Sequence, residues 1–193
     1  WRYDPIFGDD TYTADYHIRQ FTHIASVLEG YTKNCVISFI DLYQKVRKNF
    51  PEARAVEKEE RLYLGKAMIE IAAEHGMTVR PCGECDELAV YGADCSGCMT
   101  EQIYEQALHT SMDFPKRNQL RKECACLLGA YNTCLHLCRY CYANYDADTV
   151  NANYARHDPT SQFLIGNRMP DDRVHKAEQK SWINGQMTLA DFM

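Results

Sequence analysis

The chain has 193 residues, of which 46% are apolar and 25% charged, a balance that excludes a disordered protein and supplies one ordinary domain with a real core. No apolar run reaches the about 18 residues of a membrane-spanning helix, and the opening Trp1-Arg2-Tyr3-Asp4-Pro5 lacks the basic start and apolar stretch of a signal peptide, so the cytoplasm is the expected compartment. A net charge of −6 repels phosphate backbones, and the one basic cluster, Lys116, Arg117, Arg121 and Lys122, has no aromatic residues between its charges; a nucleic-acid partner is not expected.

Trp1 to Phe7 reads as a short strand ending at Asp4-Pro5, followed by the turn-forming Gly8-Asp9-Asp10. Thr13 is placed to cap a helix whose apolar positions Ala14, Ile18, Phe21, Ala25 and Leu28 recur at three and four residues, with Gly30 as its terminator. Cys35-Val36-Ile37-Ser38-Phe39-Ile40 is a compact apolar run with β-branched residues, hence a buried strand. Residues 41–50 read as a short helix or a long loop, stopped by Pro51. A second long helix opens near Ala55, with Glu57, Glu59 and Glu60 at the positive end of its dipole. It is expected to bury Leu62, Ala67, Met68, Ile71 and Ala72, to carry His75 near its last turn and to close at Gly76. Met77-Thr78-Val79-Arg80 is the third strand and runs into Pro81-Cys82. The order β-α-β-α-β predicts an α/β protein with a parallel sheet.

From Cys82 onward both periods fade. Residues 100–110 form a moderate helix, residues 121–145 are dense in cysteine, and the polar residues 167–193 read as a wrapping tail. The chain therefore divides at about residue 81. Residues 1–81 form the α/β part and residues 82–193 a cysteine-rich, metal-binding part, packed as one unit. The cysteine loop is expected over the C-terminal strand ends, where α/β folds place their sites.

The chain has ten cysteines, and their grouping carries the chemistry. Cys35 stands alone in an apolar run and reads as a small buried residue. The others fall into clusters, which without a secretory signal point to metal ligation rather than to disulfides. Cys134, Cys138 and Cys141 form C-x3-C-x2-C: three thiolates able to converge on one metal centre, one short of the four a cubane iron–sulfur cluster takes. A zinc knuckle completed by His136 or Cys126 uses the same residues. Cys82, Cys85, Cys95 and Cys98 form C-x2-C-x9-C-x2-C, the spacing of a tetrathiolate zinc or iron site. A second metal site is expected either from these four or from a set including Cys124 and Cys126. Arg2 and Asp4 read as substrate contacts or as an internal ion pair.

The C-x3-C-x2-C spacing, with the aromatic Tyr140 before its last cysteine, resembles the motif of the radical S-adenosylmethionine superfamily. That resemblance implies a 4Fe-4S cluster on Cys134, Cys138 and Cys141, a fourth iron open to S-adenosylmethionine, and Tyr140 beside that cofactor. It implies reductive cleavage of S-adenosylmethionine to a radical that abstracts hydrogen from a substrate. Residues 131–144, His157-Asp158-Pro159, Leu164-Ile165-Gly166 and the opening Trp1-Arg2-Tyr3-Asp4-Pro5-Ile6 resemble domain-of-unknown-function family 1848. That likeness implies that the three strands are the later part of a barrel-like domain, a partial (half) TIM-barrel, in the C-terminal part of a longer protein. A missing N-terminal half or a protein partner is then expected to complete the sheet. It also implies that the second site draws on Cys82, Cys98, Cys124 and Cys126 more readily than on Cys85 and Cys95.

Two other functions use the same residues: a zinc- or cluster-stabilised binding module without turnover, and a two-cluster electron-transfer protein. A phosphate-binding glycine loop, a serine nucleophile elbow and a zinc-protease helix have no motif here.

Overall fold

The structure, a computed structural model, describes residues 1–83, 86–98, 100–112, 130–175, 181, 183 and 185. Three parallel strands, β1 (Arg2–Ile6), β2 (Asn34–Phe39) and β3 (Thr78–Pro81), lie side by side in chain order as an open sheet. The predicted mixed α/β architecture is what forms.

Helix α1 (Ala14–Leu28) connects β1 to β2, and Thr13 caps it by accepting a hydrogen bond from the Tyr16 N–H at 3.3 Å. Helix α2 (Gln44–Asn49) and helix α3 (Lys58–Glu74) together connect β2 to β3. Gly30 and Gly76 follow α1 and α3 with φ of 79° and 69°, the left-handed conformation that ends a helix most cheaply at glycine.

Period-two alternation sorts the strand side chains. Cys35 and Ile37 of β2, Ile6 of β1 and Val79 of β3 meet Phe21 of α1 and Leu64, Met68, Ile69 and Ala72 of α3 in the main core. Each fully buried aliphatic or aromatic side chain there contributes about 1.5–3 kcal/mol relative to exposure. The opposite sheet face carries one transverse row, because Arg2 pairs with Val36 and Val36 with Arg80. A smaller core of Ile40, Val46 and Phe50 seats α2 beside the exit of β2.

Several elements differ from expectation. Strand β1 passes through Asp4-Pro5 to Ile6, and its pairing slips between Tyr3 and Ile6, where Pro5 has no N–H to give. Of the five residues expected inside α3, Met68 and Ala72 are buried, Leu62 and Ile71 pack at the margin, and Ala67 is half-buried. The fully inward positions include Leu64 and Gly65, because the helix is rotated to bring Gly65 against Leu88. His17 lies four residues before Phe21 on the buried stripe of α1 and is 5% exposed, a position that apolar periodicity passes over.

Helix α4 (Glu101–Leu108) matches the expected helix, with Thr100 as its cap. Helix α5 (Ala147–Ala155), capped by Asp146 and buried through Val150, was not expected. Residues 113–129 and most of the tail beyond 175 lie outside the described residues. Among the described residues no helix is long and apolar enough to cross a membrane.

Candidate metal centre

Residues 130–145 form a loop tied at its neck. The Asn132 N–H donates to the Ala143 carbonyl at 3.0 Å, and the Tyr145 N–H returns to Asn132 Oδ1 at 2.5 Å. Asn132 holds a φ of 59°, a conformation its short polar side chain tolerates. Helix α5 braces the neck through Asn153 Nδ2, which donates to the Asn132 carbonyl at 3.0 Å. Inside the loop Asn144, 6% exposed, donates from Nδ2 to the Cys134 carbonyl at 2.6 Å. Its Oδ1 is buried with no hydrogen-bond partner among the described residues.

The loop is anchored on α2 and the segment after it. Arg139 donates to the Asn49 carbonyl at 3.0 Å, pairs with Glu52 at 2.6 Å and lies over the Phe50 ring at 4.6 Å. Lys45 donates to the Tyr142 carbonyl and sits 4.4 Å from the centre of the Tyr145 ring. Each exposed contact is worth little alone. Together they hold the loop where β2 leaves the sheet, because α2 follows β2 directly.

Cys134, Cys138 and Cys141 are free thiols; the first two are exposed and the third is partly covered. The Cys141 N–H donates to the Cys138 carbonyl at 2.9 Å, and the Ala143 N–H donates to Cys141 Sγ at 3.3 Å. That contact fixes where the Cys141 sulfur sits in the loop. Tyr140 hydrogen-bonds with Cys138, and its phenol is pushed up by burial first and by that bond second. His136 is exposed. Among the described residues no group of three or more His, Cys, Asp or Glu side chains is close enough to hold a metal ion. The three sulfurs therefore share one loop without converging.

The second cysteine group sits at the end of β3. Cys82 Sγ lies 3.2 Å from Cys98 Sγ, Cys98 is disulfide-bonded, and Cys95 packs at the margin of the main core. Cys85, Cys124 and Cys126 lie outside the described residues. This segment is held by Arg80, which is 6% exposed and was not singled out for this part by the sequence pattern. Its guanidinium donates to Asn34 Oδ1 at 2.9 Å, Ser96 Oγ at 3.3 Å and the Gly97 carbonyl at 3.2 Å, and it pairs with Asp94 at 2.7 Å. Cys35 is fully buried and its thiol is pushed up to about 12 by burial, so it stays protonated as a packing residue.

Arg2 and Asp4 form an ion pair at 2.5 Å on β1. Arg2 also interacts with Cys82, and Arg2, Asp4 and Tyr140 line the same cavity. Fold and site thus define a mixed α/β protein with cysteine-bearing loops beside the C-terminal ends of a small parallel sheet. The chain belongs to the family described as Domain of unknown function (DUF1848), whose model matches residues 1–143, a span that includes all three cysteines of the C-x3-C-x2-C loop. No curated protein and no solved structure matches the chain.

Proposed function

We propose that this is a radical S-adenosylmethionine-like iron–sulfur protein in which Cys134, Cys138 and Cys141 hold a 4Fe-4S cluster. The observation that carries the reading is three free thiols within eight residues, on a loop anchored by Arg139 and Lys45 beside the exit of β2. The donors fit in kind, since soft thiolates on a short loop suit iron–sulfur ligation and leave one iron without a protein ligand. Their separation means that the loop draws inward as metal binds, the coupling expected when a site is completed by its metal. When bound, the cluster supplies an electron for cleaving S-adenosylmethionine at the open iron.

The chain's own groups have separable roles. Asn144 holds the backbone at Cys134. The Ala143 N–H holds the Cys141 sulfur in place. Tyr140 covers Cys138 and faces the cavity beside β1, where it would border the cofactor. The open sheet is, in this reading, the later part of a barrel, with the edge of β1 completed by a further segment or a partner. In this reading the compartment is the cytoplasm, whose reducing conditions keep the Cys134, Cys138 and Cys141 thiols available and would open the disulfide at Cys98.

A second, structural metal, zinc or iron, is favoured by the 3.2 Å approach of Cys82 to Cys98. A disulfide has no thiolate to offer, so that group holds metal only when reduced. With this metal alone, the protein is a binding module without turnover.

The test is anaerobic reconstitution with iron and sulfide, iron and sulfide counting, and electron paramagnetic resonance of the reduced protein with and without S-adenosylmethionine. The proposal expects a cubane signal that shifts on adding S-adenosylmethionine, cleavage of that cofactor, and loss of both in Cys138→Ala. A protein that takes up zinc but no cluster refutes it. So does a cluster whose spectrum ignores S-adenosylmethionine.

A further inference from the structure

A cavity of about 330 Å³ opens between β1 and α1, and Tyr140 of the cysteine loop forms part of its wall. Its polar floor is Tyr3 and His17. His17 Nε2 lies 2.7 Å from the Phe7 carbonyl, which can only accept, so Nε2 carries the ring proton. His17 Nδ1 is therefore an acceptor, and the Tyr3 hydroxyl donates to it at 2.9 Å. With its proton committed, the Tyr3 oxygen offers the cavity lone pairs only.

The remaining wall is mainly aromatic. Phe7 and Tyr12 lie with centroids 4.9 Å apart, as do Tyr12 and Tyr16, the latter pair edge to face. The charged groups on the wall are Arg2 and Asp4, which neutralise one another at 2.5 Å. Glu60, itself paired with Arg54 at 2.6 Å, and Asp9 add negative potential at His17, and the chain as a whole carries −6. The π faces, an acceptor-only phenol oxygen and the negative surroundings all select the same ligand chemistry.

We propose that this cavity is a binding site for a small organic cation, an alkylated or primary ammonium compound. The cationic head packs against Tyr12 and Tyr16, and any N–H or O–H it carries donates to the Tyr3 oxygen. Arg2 is kept from repelling the ligand by its ion pair with Asp4 and by its half-exposed position. Binding does not depend on the iron–sulfur reading, since the cavity belongs to β1 and α1, and Tyr140 places the ligand beside Cys138.

The experiment is titration calorimetry on the full chain before any metal reconstitution, with choline as probe and its neutral carbon isostere 3,3-dimethylbutan-1-ol as comparison. The cation is expected to bind roughly tenfold or more tightly than the isostere, as a desolvated cation–π contact provides. Tyr16→Leu is expected to weaken choline about fivefold or more through loss of one π face. Tyr63→Ala, an exposed tyrosine on α3 outside the cavity, leaves binding unchanged. Circular dichroism checks that each variant is folded, with Tyr12→Leu as the second variant should Tyr16→Leu misfold. Equal affinity for choline and the isostere overturns the proposal, as does the absence of saturable choline binding. Unchanged affinity in both folded tyrosine variants overturns it too.

Discussion

Replacing Arg80 by methionine tests whether the end of β3 and the cysteine segment after it are held by one side chain. The Arg80 side chain is 7% exposed, and its partner Asp94 is 30% exposed. Removing one member of a fully buried pair costs about 3–5 kcal/mol, because the other charge is stranded. Here Asp94 is not stranded: it keeps water and accepts from the Ser96 N–H at 2.9 Å and the Ser96 hydroxyl at 2.5 Å. Those two bonds, the hydroxyl's above all, already hold its carboxyl low, with Arg80 contributing less. The larger loss falls on Asn34 Oδ1 and the Gly97 carbonyl, which lose their donor at about 1 kcal/mol each. A destabilisation of about 2–3 kcal/mol is therefore expected. Urea denaturation reads the stability, and the rate at which a thiol reagent labels Cys82 in native protein reads the local effect. Arg80→Met should shift the midpoint and speed labelling, while Asp94→Asn should do less of both. A midpoint within about 0.5 kcal/mol of wild type, or labelling unchanged in a destabilised protein, refutes the clamp.

The remaining predictions concern the core and its titration. Met68→Ala, at a fully buried position between α3 and the sheet, should cost about 2–5 kcal/mol with an unchanged urea slope; a cost under about 1 kcal/mol contradicts the packing. A methyl group at Gly65 would lie 2.4 Å from Leu88 Cδ2, so Gly65→Ala should cost about 1–3 kcal/mol. In a Gly65→Ala, Leu88→Ala double mutant the two costs should fall short of additive, and strict additivity counts against the clash. Burial lowers the His17 pKa, so the unfolded chain binds that proton more readily than the native protein. Its stability contribution is then intact above about pH 6.5 and falls as the pH drops below that value, by at most about 1.4 kcal/mol per unit. Denaturation midpoints of wild type and His17→Gln between about pH 5 and 8 check the sign; parallel curves remove His17 as the cause.

Much of the fold was legible in the linear order of residues, because burial is periodic within an element. The Thr13 cap, the Phe21 and Ala25 stripe, the Cys35–Ile40 run and the Gly30 and Gly76 stops each lie within one turn or strand of what they act on. The parallel order of three strands follows from the helices between them. The separation of Cys35 from the clustered cysteines is likewise a matter of neighbours in sequence.

What escaped had causes in three dimensions. Helix α5 has little apolar periodicity, and its one buried anchor is Val150. His17 faces inward because Tyr3 and the Phe7 carbonyl satisfy both its nitrogens, partners that only the packing of α1 on β1 supplies. Sheet register, not spacing, puts Arg80 beside Asn34 across 46 residues, and loop docking puts Arg139 on Asn49 across 90. Residue types and their spacing by themselves determined that thiolate chemistry is available in this protein, since that is a property of the side chains. Tertiary structure alone decided where it is available: the β3 register puts Cys82 within reach of Arg2 on β1, and the docking of Arg139 and Lys45 seats the other cysteine loop beside α2.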